Sequence, residues 1–212
     1  MADPPANARR AKLRETLITA AEQLIETQGL AGVKARTLAQ AAGCALGAIY
    51  NVFPDLDALI LAVSARTLAN LDAQLTPILL RADGSPQALT PEEARSKLEA
   101  LALAYLDFAA VHRASWRALF EHRLPAGKAM PEWMIADQAR LFGKVEALLD
   151  PLIPNMAATD RAALARTLFS AVHGVVLLGL EEKLAPMPLD VLRRQLTELV
   201  AAMAVGLGAA RQ

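Results

Sequence analysis

Along almost the whole chain, apolar residues recur at spacings of three and four, and the two-residue alternation of a half-buried strand is never sustained. This pattern predicts an all-α protein. A first helix is expected over Ala8–Gln28, where Leu13, Leu17, Ala20, Ala21, Leu24 and Ile25 form one stripe and Gly29 ends it. Two short helices follow, over Arg36–Ala42 and Ala45–Val52, joined through Gly43. Pro54 suits the first position of a fourth helix reaching Leu80, with Asp55 and Asp57 where a helix N-terminus favours negative charge. "RADGSPQALTP", from Arg81 to Pro91, reads as a loop. Further helices are expected over Glu92–Val111, Ala114–Leu124, Glu132–Leu149, Asp160–Leu184 (capped by Thr159 or Asp160) and Leu189–Ala209.

Charge changes the picture by what it withholds. The 22 basic and 22 acidic residues balance, so no global field draws the chain toward nucleic acid or an anionic membrane, and any DNA contact must come from a local patch. With 54% hydrophobic residues there is ample material for a sizeable core. Cys44 is the single cysteine, which excludes an intramolecular disulfide and fits a reducing cytoplasm. "MADPPANARRAKLRET" has no apolar segment after its charges and does not read as a secretory signal. The run Ala171–Leu180 is about half a membrane span, so a buried helix and no membrane partner are expected.

The densest local signal is "GVKARTLAQAAGCALGAIYNVFPDLDAL" behind a first helix that opens with Arg9, Arg10, Lys12 and Arg14. Gly32-Val33, Leu38-Ala39, Ala42-Gly43, Gly47, Ile49-Tyr50, Phe53, Pro54 and Leu59 resemble the N-terminal DNA-binding domain of the tetracycline repressor (TetR) family. The resemblance implies a three-helix helix-turn-helix domain over residues 1–53, a helical ligand-binding and dimerisation domain over 54–212, and homodimerisation through the last two helices. A turn of this kind needs a residue that tolerates left-handed geometry, which Gly43 supplies. Ile49, Val52 and Phe53 can anchor the reading helix, leaving Leu46, Gly47, Tyr50 and Asn51 toward a major groove. Asn51 could pair with adenine, Leu46 and Ala48 could meet thymine methyls, and Tyr50, Lys34, Arg36, Arg9 and Arg10 could reach phosphates. The chain departs from the family pattern at Ala45 and Leu46, where a polar start is usual, and at Leu56, where a lysine is usual and here Asp55 and Asp57 flank a leucine.

Farther along, Trp116, His173 and Gly174 resemble a TetR subgroup marked by a tryptophan and a later His-Gly pair. His112, Trp116 and Phe120 fall at i, i+4 and i+8 and are expected on one helix face, with Tyr105 and Phe108 a turn or two earlier. Such a stripe is core or the wall of a pocket. Candidate contacts to a small, largely apolar effector are Trp116, Phe120, Trp133, Met134 and His173. His173 is the polar side chain in an apolar run and needs a hydrogen-bond partner if buried: a carbonyl, a carboxylate or a ligand.

No nucleophile, metal-ligand spacing, phosphate loop or dinucleotide fingerprint emerges, so no catalytic residue, metal or cofactor is expected. The sequence expectation is a cytoplasmic homodimeric regulator, acting as a repressor that binds a two-fold DNA operator and is released by the effector. A helical ligand-binding or scaffold dimer whose helix-turn-helix no longer binds DNA remains the alternative.

Overall fold

The computed structural model describes residues 6–80, 89–181 and 187–209. Its described residues form nine α-helices and no β-strand: α1 (Ala6–Gln28), α2 (Ala35–Ala41), α3 (Leu46–Tyr50), α4 (Leu56–Leu79), α5 (Pro91–Val111), α6 (Arg113–Glu121), α7 (Glu132–Leu149), α8 (Ala158–Leu180) and α9 (Leu189–Ala209). A short 3-10 turn, Leu30–Gly32, links α1 to α2. The all-α expectation holds, and α7 and α9 have the bounds the periodicity predicts. Most of the expected Arg81–Pro91 loop, and the expected continuation of α8 past residue 181, lie outside the described residues.

Several boundaries move for local reasons. Pro54 precedes α4 rather than opening it, because the Asp55 carboxylate accepts a hydrogen bond from the Ala58 N–H (2.8 Å) and acts as the N-cap. α8 starts after Ala157, which offers no side-chain cap, and this places Thr159 and Asp160 inside the first turn. The α5–α6 run breaks at His112, whose backbone (φ −110, ψ 42) is not helical. The break expected between Val111 and Ala114 thus falls at His112, which does not share the α6 face with Trp116 and Phe120 as its spacing suggested, while Tyr105 and Phe108 lie on α5. At the start of α5, the Thr90 hydroxyl and amide pair reciprocally with Glu93 as a capping box.

The chain divides into two compact units, residues 1–69 with 112–135 and residues 70–111 with 136–212. By compactness the division thus falls elsewhere than between residues 53 and 54. The first unit gathers Leu17, Ile18, Ala21, Leu24 and Ile25 of α1, Leu38 and Ala39 of α2, Ile49 of α3, Phe53, and Leu59 and Val63 of α4 around one core. α6 joins them, packing on α1 and contributing Ala118. Gly32 is obligatory here, since a Cβ would stand 2.5 Å from the Cβ of Gln28.

In the second unit α5 and α9 form the principal seam. Leu192, Leu196, Val200 and Ala204 repeat every four residues and are buried on α9, as Leu98, Leu101, Tyr105 and Phe108 are on α5, where the Tyr105 ring meets Phe169 of α8. Gly179 lets α8 approach α9, because a Cβ there would lie 2.5 Å from a methyl of Leu192. α7 is tied to the far half of α4 by Lys144, which reaches Asp72 (3.2 Å) and the Thr76 hydroxyl (2.8 Å). α8 is long and apolar enough by length and composition to cross a membrane, and only 11% of its most apolar stretch is buried within the chain.

Candidate nucleic-acid interface

The helix-turn-helix is built from a few local interactions. Gly43 takes φ +64, the left-handed geometry expected of it, and the Cys44 N–H returns to the Ala39 carbonyl (3.0 Å). α3 is only five residues long, so its orientation is fixed by its anchors rather than by its own hydrogen bonds. Ile49 is fully buried, Phe53 nearly so, and Val52 packs against the same core. Those anchors turn the opposite face outward: Leu46 is 44% exposed, Tyr50 49%, and Gly47 and Asn51 are exposed too, with Ala48 partly so. A Cβ at Gly47 would meet nothing within 4 Å, leaving the backbone open to close approach.

Cations border this face. Lys34 is the N-cap residue of α2 and Arg36 lies in its first turn; both are exposed and form no ion pair among the described residues. Arg9 and Arg10 are exposed on the first turns of α1. Arg14, a turn later, lies over the Phe53 ring at 5.4 Å.

The acidic start of α4 is not bare. Lys128 Nζ lies 2.6 Å from Asp55 Oδ2 and 3.2 Å from Asp57 Oδ2, while His122 Nε2 lies 3.0 Å from Asp57 Oδ1. Asp55 is held below the ordinary carboxylate range by Lys128 first and by the Ala58 N–H next. Asp57 is lowered chiefly by its hydrogen bond to His122, then by Lys128, and Lys128 is raised in return. The acidic pair that flanks position 56 is thus partly neutralised by a cation more than 70 residues away. No local pattern could have found Lys128 or His122.

The candidate effector residues are divided between the two units. Trp116 is 1% exposed and packs edge-on against the half-exposed Phe120 at 5.6 Å in the first unit. Met134 is buried, and Trp133, one residue earlier in the first turn of α7, is exposed and lines a cavity described below. His173 belongs to the second unit. Its Nδ1 is 2.8 Å from the Tyr105 hydroxyl and its ring stacks on Phe169, so the Tyr105 hydroxyl is a hydrogen-bond partner of the ring. Burial lowers its pKa below 6.5. Among the described residues no three His, Cys, Asp or Glu side chains are arranged to hold a metal ion.

The fold is thus that of an all-α protein with a helix-turn-helix near its N-terminus and a separate helical unit. Residues 17–63 match the family model described as bacterial regulatory proteins, tetR family, and residues 98–203 match the tetracyclin repressor-like C-terminal domain. The chain belongs to the TetR family of transcriptional regulators. The second match contains Trp116, His173 and Gly174. Among solved structures, a TetR-family transcriptional regulator from Streptomyces coelicolor is 20% identical, with TM-score 0.65 over 95% of this chain and 84% of that one. The TetR family transcriptional regulator PfmR from Thermus thermophilus is 18% identical, with TM-score 0.61 over 88% and 97%. A TetR-like transcriptional regulator from Rhodococcus sp. RHA1 is 21% identical, with TM-score 0.58 over 94% and 97%. At these identities the likeness is one of fold. No curated protein matches the chain. Regulators of this family are non-enzymatic DNA-binding proteins, typically dimeric and responsive to small molecules.

Proposed function

We propose that this protein is a cytoplasmic, ligand-responsive repressor that binds a two-fold DNA operator as a homodimer. The observation that carries this reading is the outward face of α3, where Leu46, Gly47, Tyr50 and Asn51 stand exposed beside Lys34 and Arg36, which form no ion pair among the described residues. Leu46 and Ala48 offer contacts to thymine methyls and Asn51 a bidentate pair for adenine, while Tyr50, Lys34, Arg36, Arg9 and Arg10 supply phosphate contacts. Four cations per protomer, eight in the dimer, then set how steeply affinity falls with salt.

Dimerisation is supported by α8. It is apolar yet little buried, with Leu178 exposed and open space at Gly174, where a Cβ would meet nothing within 4 Å. A second copy on this face would bury it, and two-fold symmetry would set two α3 helices on successive major grooves about 34–36 Å apart. A small, largely apolar effector releases the operator by favouring a different arrangement of the two reading helices. Trp116, Phe120, Trp133, Met134 and His173 are the side chains from which its contacts would be drawn.

The test is binding of the purified protein to fluorescent fragments of its own upstream DNA and to scrambled DNA across a salt series. Selective binding is expected. Lys34→Ala and Arg36→Ala should weaken binding to every sequence and, since the dimer loses two contacts with each substitution, reduce the salt slope by about 2 each. Absence of selectivity at every salt concentration, with wild-type helicity intact, would favour a helical scaffold or ligand-binding dimer instead.

A further inference from the structure

The first unit contains a cavity of about 460 Å³, within the range of small-molecule sites. Its walls are Val52 and Phe53 at the end of the helix-turn-helix, Ala58, Leu61, Ala62 and Ala65 along one face of α4, and Pro131 and Trp133 at the start of α7. Among the described residues, Arg14 is its one charged lining residue. The wall is therefore apolar with a single cation.

Both features point to a ligand. Trp133 is 45% exposed although it sits on the first turn of α7, a turn fixed by hydrogen bonds from the Met134 and Ile135 N–H groups to the Pro131 carbonyl. An indole held in place and left half in solvent beside an apolar hollow gains by being covered. Arg14 has a neighbouring acid, Glu15, at 3.4 Å, but that carboxylate is also bound by Arg66, which pairs with Glu22 as well. The Arg14 guanidinium stays about half exposed, lying over Phe53 at the cavity wall. A carboxylate there would take paired N–H donors in fork geometry.

We infer that this cavity binds a small apolar monocarboxylate, with its carboxylate on Arg14 and its apolar body against Leu61, Ala62, Ala65 and Trp133. Binding itself does not depend on the proposed DNA function. Its consequence does: the walls include Val52 and Phe53, which seat α3, so a ligand here acts directly on the reading helix.

Octanoate, 1-octanol and octylammonium share a chain and differ in head group. They are titrated into the full-length protein without DNA, following tryptophan fluorescence, with Trp133→Phe identifying the source of the signal and circular dichroism checking the fold. Octanoate is expected to saturate with an affinity at least about tenfold above that of octanol, and octylammonium to bind most weakly. Arg14→Gln should reduce octanoate to the level of octanol, Arg14→Lys should keep the head-group order, and Ala65→Leu, which fills the hollow, should abolish binding of all three. The inference is overturned by absence of saturable binding, by equal affinities for the three head groups, by a carboxylate preference that survives Arg14→Gln, or by binding undiminished in a folded Ala65→Leu protein. Octanoate binding without any effect on operator affinity would leave the site standing and count against the regulatory role alone.

Discussion

His122 Nε2 and Asp57 Oδ1 meet at 3.0 Å across 65 residues of sequence, joining the segment that follows α6 to the first turn of α4. The histidine side chain is only 9% exposed, so the bond forms where water competes poorly. Together with Lys128 it converts an acidic helix start into a paired cluster. This pairing removes much of the electrostatic objection to phosphates near α4 that Asp55 and Asp57 would raise alone.

Breaking the pair should be measurable. His122→Ala leaves Asp57 without its main partner and is expected to lower stability by about 1–2 kcal/mol in chemical denaturation. The pH dependence has a defined sign. Asp55 and Asp57 have folded pKa values below the ordinary 3.8, so their contribution is present above that value and is lost as pH falls through the lowered values. Asp57→Asn should flatten this acid limb. An acid limb identical to wild type would remove Asp57 as its source.

Two glycines separate folding from recognition. Gly32→Ala must displace Gln28 and should destabilise the protein by about 1–3 kcal/mol. Gly47→Ala meets nothing in the protein and should leave stability unchanged or raised by up to about 1 kcal/mol, while weakening DNA binding through the methyl it places on the outward face of α3. Undiminished DNA binding by Gly47→Ala would show that DNA does not approach this backbone.

His173 should titrate below 6.5 when followed by NMR, because burial disfavours its charged form. As pH falls below 6.5 the unfolded chain takes up the proton before the folded one, so stability declines until the folded form titrates as well. Tyr105→Phe removes the hydroxyl partner and should cost about 1 kcal/mol at neutral pH. A His173 pKa at or above 6.5 would contradict its partly buried placement.

Leu178 is 56% exposed on the apolar α8, so Leu178→Glu should leave the fold of one chain intact and disrupt association. Sedimentation is expected to show a dimer for the wild type and a monomer for the variant, with helicity unchanged. A variant that stays dimeric would move the interface away from this face of α8.

The sequence by itself determined what is encoded within a few residues of the chain. The helical period fixed the fold class and the bounds of α7 and α9, and the need for left-handed geometry placed Gly29 and Gly43 where α1 ends and the helix-turn-helix turns. Which positions anchor the α3 segment and which face outward was legible in the same way, since Ile49 and Phe53, one turn apart, share a face opposite Gly47 and Asn51. Tertiary structure alone decided the rest. It set α6 into the core of the first unit, brought Lys128 and His122 to the start of α4, and laid Arg14 and Trp133 on one cavity. Periodicity and capping act over a turn or two of backbone, whereas these pairings join residues 65 or more apart in sequence at the α4 start and depend on how helices pack.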